Sequence, residues 1–179
     1  MTLFKKPKKK QHSTAVKVEY KGITFKSKLE LYMYKMLEMM KFDFGYETEK
    51  FPIIPEFEYQ GKLHPAAIYT PDFIVTFPDL IIIIETKGRK NEAWPLREKL
   101  FKKWLSEVKG NTKEIVFVIP RNKLNCDEVI SALLDYRDKK QPFNVNLSDN
   151  KSRSNRKRKA PTMFNNKVSR RSDRGTLGR

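Results

Sequence analysis

Five consecutive aliphatic residues, Leu80-Ile81-Ile82-Ile83-Ile84, admit few places in a folded chain. β-Branched side chains favour the pleated backbone of a strand, and a strand that is apolar at every position must be covered on both faces. No apolar run in the sequence approaches the roughly 20 residues that cross a bilayer. The run therefore predicts a central strand with helices packed on either side. It ends abruptly in Glu85-Thr86-Lys87, so three polar residues stand where a buried strand stops.

The flanking segments supply the other layers. Leu29, Met33, Met36, Leu37 and Met40 recur at helical spacing and predict a helix over Ser27–Met40, with Ser27 and Glu30 spaced as a capping box. Tyr46–Ile54 and Glu56–Leu63 alternate as strands do, with Pro55 or Gln60-Gly61 as turns. Ile68–Phe77 and Leu80–Lys87 read as a hairpin closed at Pro78-Asp79. A helix beginning at Asn91, with Trp94-Pro95 in its first turn, carries the stripe Leu100, Phe101, Trp104, Leu105 and Val108 and stops at Gly110. Glu114–Ile119 is a further strand, ended by Pro120. Asp127–Asp138 reads as a last helix, with Cys126 a small apolar residue at its start. The fold class is α/β, a mixed central sheet flanked by helices.

Charge is distributed unevenly. The 179-residue chain carries 38 Lys or Arg against 21 Asp or Glu, a formal charge of +17. Met1–His12 has five lysines and no acid, and Lys151–Arg179 has eleven basic residues and one acid, Asp173, which leaves +2 for the middle. Residues 1–13 and 142–179 thus read as basic tails of disordered composition around one domain over 14–141. Counterion release makes such tails attractive to nucleic acid, and Lys5–Lys10 and Arg156–Lys159 also have the composition of nuclear-localisation signals. The single cysteine excludes an internal disulfide framework, and two histidines with no cysteine cluster argue against a zinc or histidine-based catalytic site. The first lysines are followed by no apolar stretch, so neither a secretory signal nor a membrane span is expected and the location is intracellular.

The chemistry concentrates at Pro71-Asp72-Phe73 and Glu85-Thr86-Lys87. A hairpin symmetric about Pro78-Asp79 sets Asp72 directly opposite Glu85, about 4.5–5.5 Å apart at Cβ. Lys87, two residues on, shares their face. Two facing carboxylates repel, so one is protonated or a cation sits between them, and oxygen ligands suit a hard ion such as Mg²⁺. The competing expectation is a surface ladder in which Lys87 neutralises Glu85 and Asp72 merely ends a strand.

These residues resemble the signature of the PD-(D/E)xK nuclease superfamily. Phe25-Lys26-Ser27-Lys28-Leu29-Glu30, Tyr69-Thr70-Pro71-Asp72-Phe73 and Ile84-Glu85-Thr86-Lys87-Gly88 are together similar to the phage endonuclease I family of Holliday-junction resolvases. Ile115-Val116-Phe117 and Arg121-Asn122-Lys123-Leu124 extend the resemblance, which runs from about Phe25 to Leu124. Phe51–Ala67, with Pro52, Pro55 and Pro65, departs from that pattern.

The resemblance implies a restriction-endonuclease-like fold and Mg²⁺-dependent hydrolysis of DNA phosphodiesters at branched DNA such as four-way junctions, with Mn²⁺ able to substitute. Asp72, Glu85, the Thr86 carbonyl and Glu30 would be the metal ligands, and Lys87 would orient the attacking water. Lys26, Lys28, Arg89, Lys90, Lys99, Lys102, Arg121 and Lys123 would contact phosphates. A homodimer in a phage-infected host cytoplasm would follow from the same resemblance. Two rivals share the sequence evidence: a nicking or transposase-associated endonuclease with this site, and a non-catalytic DNA-binding or packaging protein that relies on its tails.

Overall fold

The computed structural model describes residues 17–88, 92–108 and 113–148. Both predicted tails lie essentially outside these residues, as do Arg89, Lys90, Asn91 and Gly110. The order of elements is β1 (Val18–Tyr20), β2 (Ile23–Phe25), α1 (Lys28–Met39), β3 (Phe44–Tyr46), β4 (Phe51–Ile54), β5 (Phe57–Tyr59), β6 (Lys62–His64), β7 (Ala67–Tyr69), β8 (Phe73–Thr76), β9 (Leu80–Ile84), α2 (Trp94–Glu107), β10 (Glu114–Val118) and α3 (Lys123–Lys139).

The aliphatic run is β9, an interior strand of a four-stranded mixed sheet ordered β10-β9-β8-β3. It pairs in parallel with β10 and antiparallel with β8, which in turn pairs antiparallel with β3. Successive side chains of a strand point to opposite faces, so β9 serves two cores at once. Ile82 and Ile84 pack with Met33 and Leu37 of α1 and Val129, Ile130 and Leu133 of α3. Ile83 packs on the other face with Tyr69, Trp94 and Phe101, the last two from α2. Burying one such side chain is worth about 1.5–3 kcal/mol, which is why β9 tolerates no polar residue before position 85.

The β8–β9 register pairs Phe73 with Ile84 and Ile74 with Ile83, as symmetry about Pro78-Asp79 requires. Several boundaries differ from expectation: α2 begins at Trp94 rather than Asn91, and Glu56–Leu63 falls into two strands, β5 and β6, that turn at Gln60-Gly61. The segment Ile68–Phe77 is two strands, because β7 pairs with β4 while β8 joins the main sheet, and Thr70-Pro71-Asp72 makes the break. Tyr46–Ile54 divides in the same way, with Glu47 at φ 50° turning the chain out of β3. The last helix starts at Lys123 rather than Asp127. Asn122 caps it, its side chain accepting from the Asn125 N–H at 3.0 Å, a bond that a start four residues later would forgo.

The domain also extends past the expected boundary at 141. Phe143, Val145 and Leu147 pack against the α1–α3 core, and the Ser148 N–H donates to Glu128 at 3.0 Å. Among the described residues no helix is long and apolar enough to cross a membrane.

Candidate active site

Where β8 begins and β9 ends, the sheet gives way to buried polar groups. Asp72 and Glu85 stand one step beyond the Phe73–Ile84 pair and are 7% and 6% exposed. Such burial excludes the solvent-exposed ladder, in which both carboxylates would be hydrated. The end of β9 is pinned from the neighbouring strand: the Glu85 N–H donates to the Val118 carbonyl at 3.0 Å and the Lys87 N–H to the Pro120 carbonyl at 2.9 Å. The sheet thus holds the pair in place before any ligand arrives.

Each carboxylate is oriented by its own partners. Asp72 Oδ2 accepts from both the N–H and the hydroxyl of Thr86, each at 2.7 Å. Among the described residues its Oδ1 takes no hydrogen bond. Glu85 Oε2 accepts from the Tyr69 hydroxyl at 3.0 Å, and its Oε1 lies 3.4 Å from Lys87 Nζ. The Lys87 ammonium sits 4.3 Å from the centre of the Trp94 ring, so an aromatic face and one carboxylate fix its position.

The electrostatics follow from burial and proximity. Burial first, then the Glu85 charge, push Asp72 well above the usual carboxylate range, against the opposing bonds from Thr86. Burial also raises Glu85, opposed by Lys87 and Tyr69. The Tyr69 hydroxyl is pushed up by burial and by Glu85, so it stays a donor. Two charged carboxylates side by side in a poorly solvated pocket are costly, and a bound cation would relieve the cost.

Glu30 takes a place of its own. It is buried at the first turn of α1 and near enough to raise both Asp72 and Glu85. Its Oε2, however, accepts from the Lys26 N–H at 2.8 Å and the Tyr46 hydroxyl at 3.3 Å. The expected capping box is half formed: the Glu30 N–H donates to Ser27 Oγ at 3.1 Å, while its carboxylate reaches back one residue further than the motif requires. Among the described residues no group of three or more His, Cys, Asp or Glu side chains is arranged to hold an ion. The inner site is therefore the Asp72–Glu85 pair, with Glu30 behind it. Mg²⁺ fits such a donor set, because it keeps several waters and takes only one or two carboxylates.

The expected phosphate contacts are spread over several elements. Lys26 precedes α1, is electrostatically linked to Asp72 and Glu30, and is ion-paired with Glu47. Lys28 is exposed at the first residue of α1. Arg121 follows Pro120, the residue that accepts from Lys87, and so stands beside the end of β9. Lys123 lies over the Tyr32 ring at 4.8 Å. Lys99 and Lys102 are exposed on α2, where Lys102 pairs with Glu98 at 2.8 Å. Arg89 and Lys90 are outside the described residues.

Tyr69, Tyr46 and Trp94 are site residues that sequence reasoning did not assign. Tyr69 sits just before Pro71-Asp72, a spacing that could have flagged it. Trp94 gives no such signal, because only the packing of α2 on the sheet brings it to Lys87. A family model described as a protein of unknown function (DUF1064) matches residues 10–117, a span containing Glu30, Tyr46, Tyr69, Asp72, Glu85, Lys87 and Trp94 but not Arg121 or Lys123. No curated protein and no solved structure matches the chain.

Proposed function

The chain belongs to the DUF1064 family, and we propose that it is a metal-dependent endodeoxyribonuclease. The observation that carries this reading is the buried pair Asp72 and Glu85, set across the β8–β9 register with Lys87 held between Glu85 and Trp94. A pair placed for stability alone would be neutralised by close ion pairs. Here the sole cation in bonding range among the described residues is Lys87, at 3.4 Å.

Asp72 Oδ1 and Glu85 would hold Mg²⁺ or Mn²⁺, with Glu30 behind them and main-chain oxygen at Thr86 as a further donor. When bound, the ion would acidify water and polarise a phosphoryl oxygen. Thr86 and Tyr69 aim the two carboxylates and favour their charged forms, against the burial that raises both. Lys87, fixed by Trp94, orients the attacking water and offsets the negative charge that develops on the phosphate. Lys26, which is electrostatically linked to Asp72, together with Lys28 and Arg121, would receive the flanking phosphates.

Branched DNA, and four-way junctions in particular, is the substrate favoured by the resemblance to the endonuclease I family. Paired cuts across a junction need two sites, hence a homodimer. Cleavage of a labelled four-way junction and a matched linear duplex, with Mg²⁺, tests this. Preferential cutting of the junction is expected, and equal cutting of both would leave a nuclease of another DNA geometry.

A further inference from the structure

The ribbon between Phe51 and Tyr69 has no place in the site described above. β4 pairs with β7, and β5 with β6, each as a two-stranded sheet of its own. The two registers are continuous after one irregularity between Pro52 and Ile54: Ile54 faces Ala67, Phe57 faces His64, and Tyr59 faces Lys62. The whole is one antiparallel arm, closed at Gln60 and Gly61 with φ of 51° and 73°. Positive φ at both central residues is what a tight two-residue hairpin needs.

The arm is rooted at the catalytic pair. Tyr69, at its base, donates to Glu85, and Phe51 opposite it packs on Phe101 and Trp104 of α2. From Tyr69 to the tip at Gly61 a strand spans roughly 25 Å, the length of about seven base pairs. Every residue from Pro55 to Leu63 is exposed, including Phe57 at 49%, Tyr59 at 61% and Leu63 at 64%. A lone hairpin gains little stability in water, so large apolar side chains displayed on one call for a partner.

The two faces differ in character. Residues facing each other across a ladder share a side, so Phe57, Tyr59, Lys62 and His64 form one face. Phe57 and His64 are stacked there, 4.9 Å between ring centres. Glu58 and Leu63 take the opposite face, and strand alternation puts Glu56 with them. One side is thus aromatic with a cation and without an acid; the other holds both acids. A two-stranded ribbon also fits the major groove of duplex DNA.

We propose that this arm grips DNA, laying its Phe57–Tyr59–Lys62–His64 face along the duplex beside the bond to be cut. The inference deepens the nuclease reading and rests on it. Apolar contact of the aromatic rings with base edges and thymine methyl groups supplies affinity that salt does not screen, while Lys62 adds one phosphate contact.

Affinity of the full chain for a labelled duplex, measured by fluorescence anisotropy with Ca²⁺ over a range of salt, is the test. Joint Phe57→Ala and Tyr59→Ala substitution is expected to weaken binding about tenfold or more, the scale of losing buried apolar side chains. Lys62→Ala should lower the salt slope by about one. Joint Phe57→Tyr and Tyr59→Phe substitution should retain wild-type affinity, as should joint Glu58→Gln and Leu63→Ala on the other face. Wild-type affinity in the alanine variant, or equal loss from either face, would overturn the proposal. So would a fall in oligomeric mass on alanine substitution, which would make the arm an interface between copies. If the wild type cuts DNA and the alanine variant binds as well as wild type, the arm alone is rejected. If the wild type neither binds nor cuts, the nuclease reading falls with it.

Discussion

Thr86 donates twice to a single oxygen of Asp72, from its N–H and from its hydroxyl, both at 2.7 Å. The two hydrogen bonds to Oδ2 favour the charged form of a carboxylate that burial pushes toward neutrality, while Oδ1 takes no hydrogen bond among the described residues. Thr86→Val keeps the N–H donor and removes the hydroxyl with little change in shape. Loss of one hydrogen bond to a charged group costs about 1.5–3 kcal/mol, so the variant should require about tenfold or more additional Mg²⁺ for half-maximal protection against thermal unfolding.

The raised Asp72 also predicts how stability varies with pH. Between the ordinary carboxylate pKa and the raised one, the folded state holds a proton that the unfolded chain has released. The contribution of Asp72 to the stability of the metal-free protein should therefore fall as pH rises from about 4 toward neutrality. Asp72→Asn removes that charge and should flatten the slope. It should also raise the Tm in chelator at pH 8 by about 3–6 °C, with a smaller gain at pH 5. Mg²⁺ should stabilise the wild type and leave Asp72→Asn unaffected. Calorimetric scans at the two pH values, with and without Mg²⁺, check all three outcomes.

Tyr69 offers a cleaner separation of position from packing. Its ring stacks on Phe101 at 4.0 Å between centres, while its hydroxyl alone touches Glu85. Tyr69→Phe should preserve the fold, with a stability loss of no more than about 3 kcal/mol, the scale of one hydrogen bond to a charged group. The freed Glu85 should show as a several-fold rise in the Mg²⁺ concentration for half-maximal cleavage, and a Mg²⁺ titration of initial rates reads it directly.

Much of this site is legible before any coordinates. The aliphatic run must be a doubly covered strand, and the Pro78-Asp79 turn fixes its register with β8, so Asp72 meets Glu85 by symmetry alone. Contacts made by packing are not legible in that way. Trp94 reaches Lys87 only because α2 lies on the Ile83 face of the sheet, and Tyr46 reaches Glu30 because β3 pairs with the far edge of β8. The start of α3 was in principle readable, since Asn122 three residues before Asn125 is a capping pattern. The acids at Asp127 and Glu128 are a competing start signal, and the reciprocal side-chain bond prevails over them.

That cap carries its own expectation. Asn122→Ala removes the acceptor for the Asn125 N–H and should destabilise the domain by about 1 kcal/mol, measured as a shift in urea midpoint at unchanged slope. Cleavage and metal binding should be retained, because the cap lies outside the carboxylate pair.

The central claim is that Asp72, Glu85 and Lys87 form a phosphodiester-cleaving centre. Its most direct test is single-turnover cleavage of labelled DNA in Mg²⁺ by the wild type and by Lys87→Ala, with chelator as control. The account predicts cleavage by the wild type, none in chelator, and a loss of about 100-fold or more in Lys87→Ala with DNA binding retained. Cleavage at the wild-type rate by Lys87→Ala, or by the wild type in chelator, would contradict it.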